Sequence, residues 1–282
     1  MRVGLEILQD GAGYGEVRTI ALEAESAGFD SLWVLDHLHA SPRPDDEQLL
    51  ECWTVLSALA AETTRIRLGT LVLNMNNRNP ALLAKMATTL DAISNGRLEF
   101  GIGAGGTNRA KTQKDLGYEY EFDAYGMSFP LQPSVRIEKL EEGLEIIKRM
   151  WTQARASFTG RYFSVRNAIC LPRPVQKPYP PIWIGGGRGP KILKVVAKHA
   201  DGWNMMSVKT IEEYRQCVGL LAAACQEAGR NPHEVRTSLA IEGTIEECGQ
   251  RLRESEEAGL SLAIVRTPRS RLMEYLRRLR RP

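Results

Sequence analysis

The sequence predicts a (β/α)8 barrel, a fold of the α/β class, and three observations favour it. Short β-rich runs alternate with amphipathic helical runs from one end of the chain to the other. There are eight runs of each kind, and a helix follows every strand, as parallel strands require for their crossover connections. The length of 282 residues fits one such barrel, which takes about 250 residues. We therefore expect a single domain over residues 1–282.

The strands are predicted from short runs rich in aliphatic and β-branched residues. They cover residues 3–8, 31–35, 67–73, 98–102, 182–184, 202–205, 235–241 and 261–266. The helices are predicted from apolar residues at helical spacing. They cover residues 16–27, 48–61, 80–93, 134–151, 190–199, 211–228, 245–258 and 269–280. In the third helix the apolar stripe consists of Leu82, Leu83, Met86, Leu90 and Ile93.

One interval interrupts this alternation, between the fourth and fifth strands. An insertion over about residues 108–181 contains a polar and aromatic loop at 108–129, a long helix, a hairpin pattern at 158–165 and a proline-rich connector at 170–181. Long excursions at the carboxyl ends of barrel strands are common places for substrate sites. The alternative interpretation is a surface insertion without a role in binding.

Composition excludes several classes of protein. The net charge of +3, from 37 basic and 34 acidic residues, is too small to indicate a nucleic-acid partner. No run of about 18 apolar residues predicts a membrane span, and the N-terminal segment does not have the pattern of a signal peptide. The five cysteines form no Cys-x-x-Cys pair, which is typical of a reducing compartment. We expect a cytoplasmic protein.

The second strand ends in Asp36 and His37, and His39 follows two residues later. Polar residues directly after a buried barrel strand lie on the catalytic face, where a histidine can move a proton near neutral pH. His37 is therefore a candidate catalytic residue. In the alternative interpretation Asp36 caps a helix and His37 is a structural residue. His37 and His39 could also begin a metal site, but no third ligand has matching spacing, so no metal is expected.

Two glycine-rich turns are candidate ligand contacts. Residues 101–106 satisfy the pattern Gly-x-Gly-x-x-Gly, but the residues that follow lack helical periodicity, so a dinucleotide fold is not supported. Close backbone approach to a ligand and a structural tight turn both remain open there. Residues 182–191 combine a strand, glycines and a helix start with Arg188 and Lys191. That combination favours a phosphate-binding turn over a plain turn.

Six segments spread over most of the chain form a recognisable series. They are AGFDSLWVLDH at 27–37, ECWTVLSALAAETTRIRLGT at 51–70, NPALLAKMATTLDAISNGRL at 79–98, GIGAG at 101–105, PPIWIGGG at 180–187 and ADGWN at 200–204. Together they resemble the luciferase-like family of flavin- and deazaflavin-dependent oxidoreductases. They are most similar to the branch that uses coenzyme F420, a 5-deazaflavin that carries hydride.

The resemblance implies roles for the matched residues. His37 would assist proton or hydride transfer beside the ring system, and Leu71 and Val72 match a bulge, often with a cis peptide bond, that backs the ring. The glycine turns after the fourth and fifth strands would line the cofactor cleft and receive the cofactor's phosphate. The implied cofactor-binding residues are Asp36, Leu71, Val72, Gly103, Ala104, Gly105, Gly185, Gly186 and Gly187.

The resemblance also implies a reaction, which is hydride transfer between coenzyme F420 and a small organic substrate. One alternative is an FMN-dependent reductase or monooxygenase of the same family, and a second is a non-catalytic cofactor-binding protein. Relatives usually form homodimers, so a homodimer is implied. Sugar-oxidising relatives have an acidic residue after the fourth strand, where this chain has Gly106. Glucose 6-phosphate is therefore not expected as the substrate.

Overall fold

The computed structural model describes residues 1–38, 48–106, 118–205 and 208–278. In chain order its strands are β1 (Arg2–Ile7), β2 (Ser31–Val34), β3 (Arg67–Thr70), β4 (Leu73–Asn74), β5 (Leu98–Gly103), β6 (Ala156–Thr159), β7 (Ser164–Ala168), β8 (Ile182–Gly186), β9 (Gly202–Met205), β10 (Arg236–Ile241) and β11 (Leu262–Val265). The α-helices are α1 (Tyr14–Ser26), α2 (Cys52–Glu62), α3 (Pro80–Ile93), α4 (Tyr118–Ala124), α5 (Pro133–Thr152), α6 (Pro190–His199), α7 (Ile211–Glu227), α8 (Ile245–Glu257) and α9 (Arg269–Arg278).

Eight parallel strands close into a barrel, which confirms the predicted fold class. The strand order is β3, β2, β1, β11, β10, β9, β8 and β5, and pairing of β5 with β3 closes the ring. The first and last strands of the chain are neighbours, with Arg2 in register with Leu262. All eight barrel strands overlap the predicted ones.

The third predicted strand is divided in the structure. The peptide bond between Leu71 and Val72 is cis, and the pairing of β3 stops before it. Beyond it, β4 pairs only with the end of β5, with Leu73 opposite Ile102. The prediction of one continuous strand over 67–73 was therefore wrong at its end, because the chain steps sideways there from one partner strand to another.

The second helix begins later than predicted, at Cys52 and not at residue 48. The carboxylate of Glu51 accepts a hydrogen bond from the Thr54 amide at 2.7 Å and so caps the helix. The preceding residues are held elsewhere, since the carbonyl of Gln48 accepts a hydrogen bond from the Gly11 amide at 2.7 Å. A cap side chain at the N-cap position fixes where a helix starts.

The insertion contains more regular structure than the sequence predicted. The loop predicted at 108–129 includes the helix α4, and its residues 107–117 lie outside the described part of the chain. The ring of Phe122 on α4 is buried against Phe129, with centroids 4.8 Å apart. This tertiary contact stabilises a helix too short to show a periodic pattern. The hairpin prediction is confirmed by the antiparallel pair β6 and β7.

Helix α3 shows which face of a predicted stripe is buried. Its buried apolar residues are Leu83, Ala84, Ala87 and Leu90. Two members of the predicted stripe, Leu82 and Ile93, are exposed by 57% and 48%. The buried face is therefore rotated toward the small alanines, because the helix packs closely against α5 and the barrel wall.

The barrel interior is filled by two tryptophans that stand where glycines leave space. Trp33 and Trp183 are buried and make an edge-to-face contact with ring centroids 5.9 Å apart. A Cβ atom at Gly69 would lie 2.3 Å from the ring of Trp33, and one at Gly202 would lie 2.3 Å from the ring of Trp183. Small and large residues paired on adjacent strands, Gly69 with Trp33 and Gly202 with Trp183, thus fill the barrel interior together.

None of the described helices is both long and apolar enough to cross a membrane. The five cysteines all lie in described segments, and each is a free, buried thiol.

We expect Gly69→Ala to lower the free energy of unfolding by about 1–3 kcal/mol, since the added methyl group must displace Trp33 in a closely packed layer. Gly219→Ala is the matched control, because Gly219 lies within α7 and its added Cβ would meet nothing within 4 Å. Alanine is the better helix former by about 0.5–1 kcal/mol, so the control should be stabilised. Urea unfolding followed by circular dichroism measures both changes. Equal stability of the two variants would contradict this account of the barrel interior.

Candidate active site

The predicted site residues lie at the carboxyl ends of four neighbouring strands. His37 follows β2, the Leu71–Val72 step follows β3, and the two glycine turns follow β5 and β8. These strands are adjacent in the barrel, in the order β2, β3, β5 and β8. The structure therefore brings residues from four separate sequence segments to one side of the barrel mouth, which is the catalytic end of this fold.

Val72 connects three of these strand ends. A Cβ atom at Gly103 would lie 3.0 Å from a methyl group of Val72, and one at Gly185 would lie 2.6 Å from the same methyl group. A Cβ at Gly101 would come within 1.8 Å of the Thr70 carbonyl oxygen. The glycines on β5 and β8 are thus required so that the cis step can lie across them. Leu71 beside it packs against the cluster of Trp33, Trp183, Leu262 and Ile264 in the barrel interior.

Asp36 fixes the loop that follows β4. Its carboxylate is buried and accepts two hydrogen bonds from the guanidinium of Arg78, each at 2.9 Å. It also accepts the backbone amide of Asn74 and the side-chain amide of Asn77, both at 2.9 Å. Because bidentate arginine pairs fix geometry, Asp36 holds the loop over the site. Direct contact of Asp36 with a cofactor stays a prediction.

The charge of Asp36 also acts on Arg78. Burial alone would lower the pKa of Arg78, but the hydrogen bonds and charge of Asp36 outweigh it and raise this pKa. Arg78 also contacts Glu51 at 2.5 Å, the residue that caps α2. One buried guanidinium therefore joins the ends of β2, β4 and the start of α2.

His37 faces a carboxylate that sequence reasoning did not identify. Its Nδ1 lies 2.8 Å from Oε1 of Glu121, a residue on α4. The side chain of Glu121 is only 2% exposed, whereas that of His37 is 36% exposed. The histidine therefore has one edge against a buried carboxylate and part of its ring accessible from the barrel mouth. His39 lies outside the described residues, so a metal site that includes it is not described either.

This pair raises the pKa of His37. Burial acts to lower it, but the hydrogen bond and charge of Glu121 outweigh burial, and Asp36 and Asp10 add to the increase. The imidazolium form of His37 thus persists to higher pH than in an isolated histidine, whose pKa is about 6.5. Its contribution to stability is present below about pH 6.5 and is lost as the pH rises through the raised pKa.

Arg136 on α5 holds the insertion against the end of β5. Its Nε donates to the carbonyl of Gly105 at 3.0 Å, and its Nη1 donates to the carbonyls of Pro130 and Leu131, each at 2.7 Å. The guanidinium also lies over the ring of Phe129, 5.0 Å from its centroid. This buried arginine therefore positions the turn at Gly105 and the segment after α4 together.

Asparagines at the end of β4 and directly after it contact the turn that follows β5. The side chain of Asn76 donates to the Ala104 carbonyl at 2.9 Å and to the Asn74 side chain at 3.0 Å. The Nδ2 of Asn74 and the Oδ1 of Asn76 are buried and have no hydrogen-bond partner among the residues that the structure describes. Gly105 has a positive φ of 73°, and a Cβ there would lie 2.2 Å from Asn74. Buried polar atoms without partners usually mark the place of a ligand or ordered water.

The turn after β8 has two different parts. Gly185 and Gly186 lie within the strand, where a Cβ at Gly186 would approach Ile192 to 2.8 Å. Gly187 is exposed, and a Cβ there would meet nothing within 4 Å. Helix α6 begins directly afterwards, at Pro190, with no side chain capping its first turn. Only Gly187 and the start of α6 thus present open backbone in the way an anion requires.

Several residues of this site were missed by the sequence analysis, foremost Glu121, Arg136, Arg78 and Asn74. Glu121 belongs to a run of alternating acidic and aromatic residues, and nothing in the run distinguishes it from Glu119 or Asp123. Only the packing of Phe122 decides which carboxylate faces His37. A buried arginine such as Arg136 has no sequence signal that separates it from surface arginines on the same helix.

We expect Glu121→Gln to lower the pKa of His37, because the substitution removes the negative charge and keeps the size of the side chain. Asp123→Asn removes one charge from the exposed side of the same helix and should leave that pKa nearly unchanged. An NMR pH titration of the His37 ring measures both. A pKa of His37 that is the same in Glu121→Gln and in the unmodified protein would show that the contact does not persist in solution.

The profile of the family described as luciferase-like monooxygenase matches residues 1–247 of this chain. Among curated proteins, the chain is 28% identical over 249 residues to an F420-dependent glucose-6-phosphate dehydrogenase of Kineococcus radiotolerans, covering 88% of this chain and 69% of that protein. It is 30% identical over 269 residues to a phthiodiolone/phenolphthiodiolone dimycocerosates ketoreductase of Mycobacterium bovis, covering 89% and 65%. The chain thus spans about two thirds of the length of these relatives.

Solved structures support the fold at lower sequence identity. An F420-dependent secondary alcohol dehydrogenase in complex with an F420-acetone adduct superposes with a TM-score of 0.82 at 18% identity, covering 97% of this chain and 96% of that chain. An F420-dependent tetrahydromethanopterin reductase from Methanopyrus kandleri gives a TM-score of 0.79 at 17% identity, covering 98% and 97%. By the family profile and these similarities, the chain belongs to the luciferase-like monooxygenase family.

Proposed function

We propose that this luciferase-like oxidoreductase transfers a hydride between coenzyme F420 and a small organic substrate. The observation that carries the proposal is the apolar step at Val72, which lies across Gly103 and Gly185. This step follows β3, and His37 follows the neighbouring strand β2. A planar ring system requires a flat apolar surface, and a protonatable group beside it is required when hydride transfer is coupled to proton transfer. Both lie at the carboxyl ends of the barrel strands.

The residues present fit a deazaflavin cofactor at both of its ends. The Leu71–Val72 step would support the ring system, and the amide of Asn74, which has no partner among the described residues, would face a polar edge or tail. Backbone amides at Gly187 and in the first turn of α6 would receive the phosphate, as uncapped helix starts do. When bound, the cofactor supplies or accepts the hydride at C5 of its deazaflavin ring.

His37 would hold the proton that leaves or joins the substrate when the hydride moves. If the substrate is an alcohol, the C–H hydride goes to the cofactor and the hydroxyl proton goes to the imidazole, so that a carbonyl remains. Glu121 keeps the ring oriented through Nδ1 and stabilises the imidazolium by its charge. The raised pKa favours the protonated form, which suits donation of a proton to a carbonyl oxygen.

The substrate is proposed on different grounds from the cofactor. The relative from Kineococcus radiotolerans acts on glucose 6-phosphate by its name, but this chain has Gly106 where the family resemblance places an acidic residue in sugar-oxidising members. We propose a small organic substrate other than glucose 6-phosphate, with the reaction in the cytoplasm and the protein as a homodimer. Light scattering at micromolar concentration tests the dimer, and a monomeric mass would contradict it.

Titration of the purified protein with coenzyme F420, and separately with FMN, tests the cofactor. We expect saturable fluorescence quenching with F420 at lower concentration than with FMN. A preference for FMN would favour the flavin-dependent reductase or monooxygenase alternative. Binding of neither cofactor would contradict the proposed function and leave only the fold.

We expect His37→Ala to lower the rate of hydride transfer by about 100- to 10,000-fold, the usual range for a lost general acid or base. The affinity for F420 should change little, since the ring platform and the phosphate turn remain. Asp123→Asn removes a charge from the exposed side of α4, is the control for a charge change near the site, and should keep the rate. Stopped-flow bleaching of F420 with an active substrate measures the rate. An unchanged rate in His37→Ala would show that another group donates the proton, whereas the non-catalytic alternative predicts no F420 bleaching in either protein.

A further inference from the structure

A cavity lies at the end of the barrel where the amino ends of the strands meet, opposite the candidate active site. Its volume is about 650 Å³, which lies in the range of small-molecule sites. Its charged lining includes the guanidinium groups of Arg2, Arg67 and Arg236 and the carboxylate of Glu99. The lining also includes Lys177, His233, Asp201, Glu234, Gln176, Tyr179 and two prolines. The cavity shares no residue with the site at the carboxyl ends.

The one buried carboxylate among the arginines is fully engaged. Oε1 of Glu99 accepts hydrogen bonds from Arg2 at 2.8 Å and from Arg67 at 2.5 Å. Its Oε2 accepts from the indole nitrogen of Trp183 at 2.5 Å. In the whole lining, Arg2, Arg67, Arg236 and Lys177 carry four positive charges and Glu99, Asp201 and Glu234 carry three negative ones, which leaves one positive charge in excess. The carboxylate of Asp201 accepts the amide of Ile182 at 2.8 Å.

Arg236 keeps most of its donors available. Its Nε donates to the carbonyl of Asp201 at 3.3 Å, and its guanidinium lies over Trp183, 4.9 Å from the ring centroid. Among the described residues, neither Nη atom of Arg236 has an acceptor, and neither is enclosed. Arg2 lies over the same ring at 5.9 Å. Burial lowers the pKa of Arg236, the charge of Glu99 opposes this, and the charge of Arg2 adds to it.

We propose that this cavity binds a phosphoryl dianion, either free phosphate or the phosphate group of a small monoester. The planar donors of Arg236 fit two phosphate oxygens at once, and Arg2 and Arg67, which share the single carboxylate of Glu99, add positive charge beside it. The space beside Tyr179 and Pro178 accommodates the organic part of a monoester. The site is separate from the proposed reaction, so its occupation stabilises the barrel without a required effect on hydride transfer.

Calorimetric titration with inorganic phosphate and with glycerol 3-phosphate tests the site, with malonate as a dicarboxylate of equal charge. We expect one saturable phosphoryl site and a rise in melting temperature on binding. Arg236→Gln should weaken binding by about tenfold or more, since hydrogen bonds to charged groups contribute at that level. Arg236→Lys keeps the charge without the paired donors, so its affinity for phosphate should lie between those of the unmodified protein and Arg236→Gln. This variant also tests the site if Arg236→Gln folds poorly.

Two further variants separate this site from other positive regions. Arg253→Gln removes one charge from the exposed side of α8 and should leave binding unchanged. Gly187→Asp places a carboxylate at the open turn before α6 and should also leave it unchanged. Absence of saturable phosphoryl binding would overturn the proposal. A Gly187→Asp variant that no longer binds phosphate, together with an Arg236→Gln variant that still binds it, would also overturn it. Malonate binding as tight as phosphate would overturn the phosphoryl class. Tighter binding of glycerol 3-phosphate than of phosphate identifies a monoester, and equal binding identifies phosphate itself.

Discussion

The candidate site depends on the absence of side chains at three positions of the barrel wall. Gly101, Gly103 and Gly185 leave the space into which the Thr70 carbonyl and the methyl groups of Val72 fit. A Cβ at Gly101 would collide with the Thr70 carbonyl, and one at Gly103 or Gly185 would press on the methyl groups of Val72. The apolar surface at the barrel mouth, the turn at β4 and the asparagines that follow it all depend on this close approach.

Buried charges hold the loops that surround this surface. Asp36 binds Arg78 in a bidentate pair, and Arg136 joins the turn after β5 to the insertion. Buried charged groups are stable only when their hydrogen bonds are satisfied, so each pair fixes one loop arrangement. The insertion is therefore a structural part of the site and not a surface addition, because α4 brings Glu121 to His37.

Glu121 supplies the charge beside His37 from the helix of the insertion. Its carboxylate lies 2.8 Å from Nδ1 of the histidine and acts to raise the pKa of that residue. The turn after β5 ends in Gly106, whose added Cβ would lie 2.9 Å from Phe129. The insertion therefore contributes both the carboxylate beside His37 and the aromatic ring beside this turn.

The sequence by itself determined the barrel, the order of its strands and the segments that reach its mouth. Periodicity and glycine positions are local properties, and they were sufficient for the barrel and for the strand ends at His37 and Gly185, whereas the Leu71–Val72 step was predicted only from the family resemblance. Only the tertiary structure decided the partners across the chain: which carboxylate faces His37, which oxygens hold Arg78 and which arginines surround Glu99. These contacts join residues tens of positions apart, with His37 and Glu121 separated by 84. No local pattern distinguishes one acidic or basic side chain from its neighbours until packing selects which of them is buried.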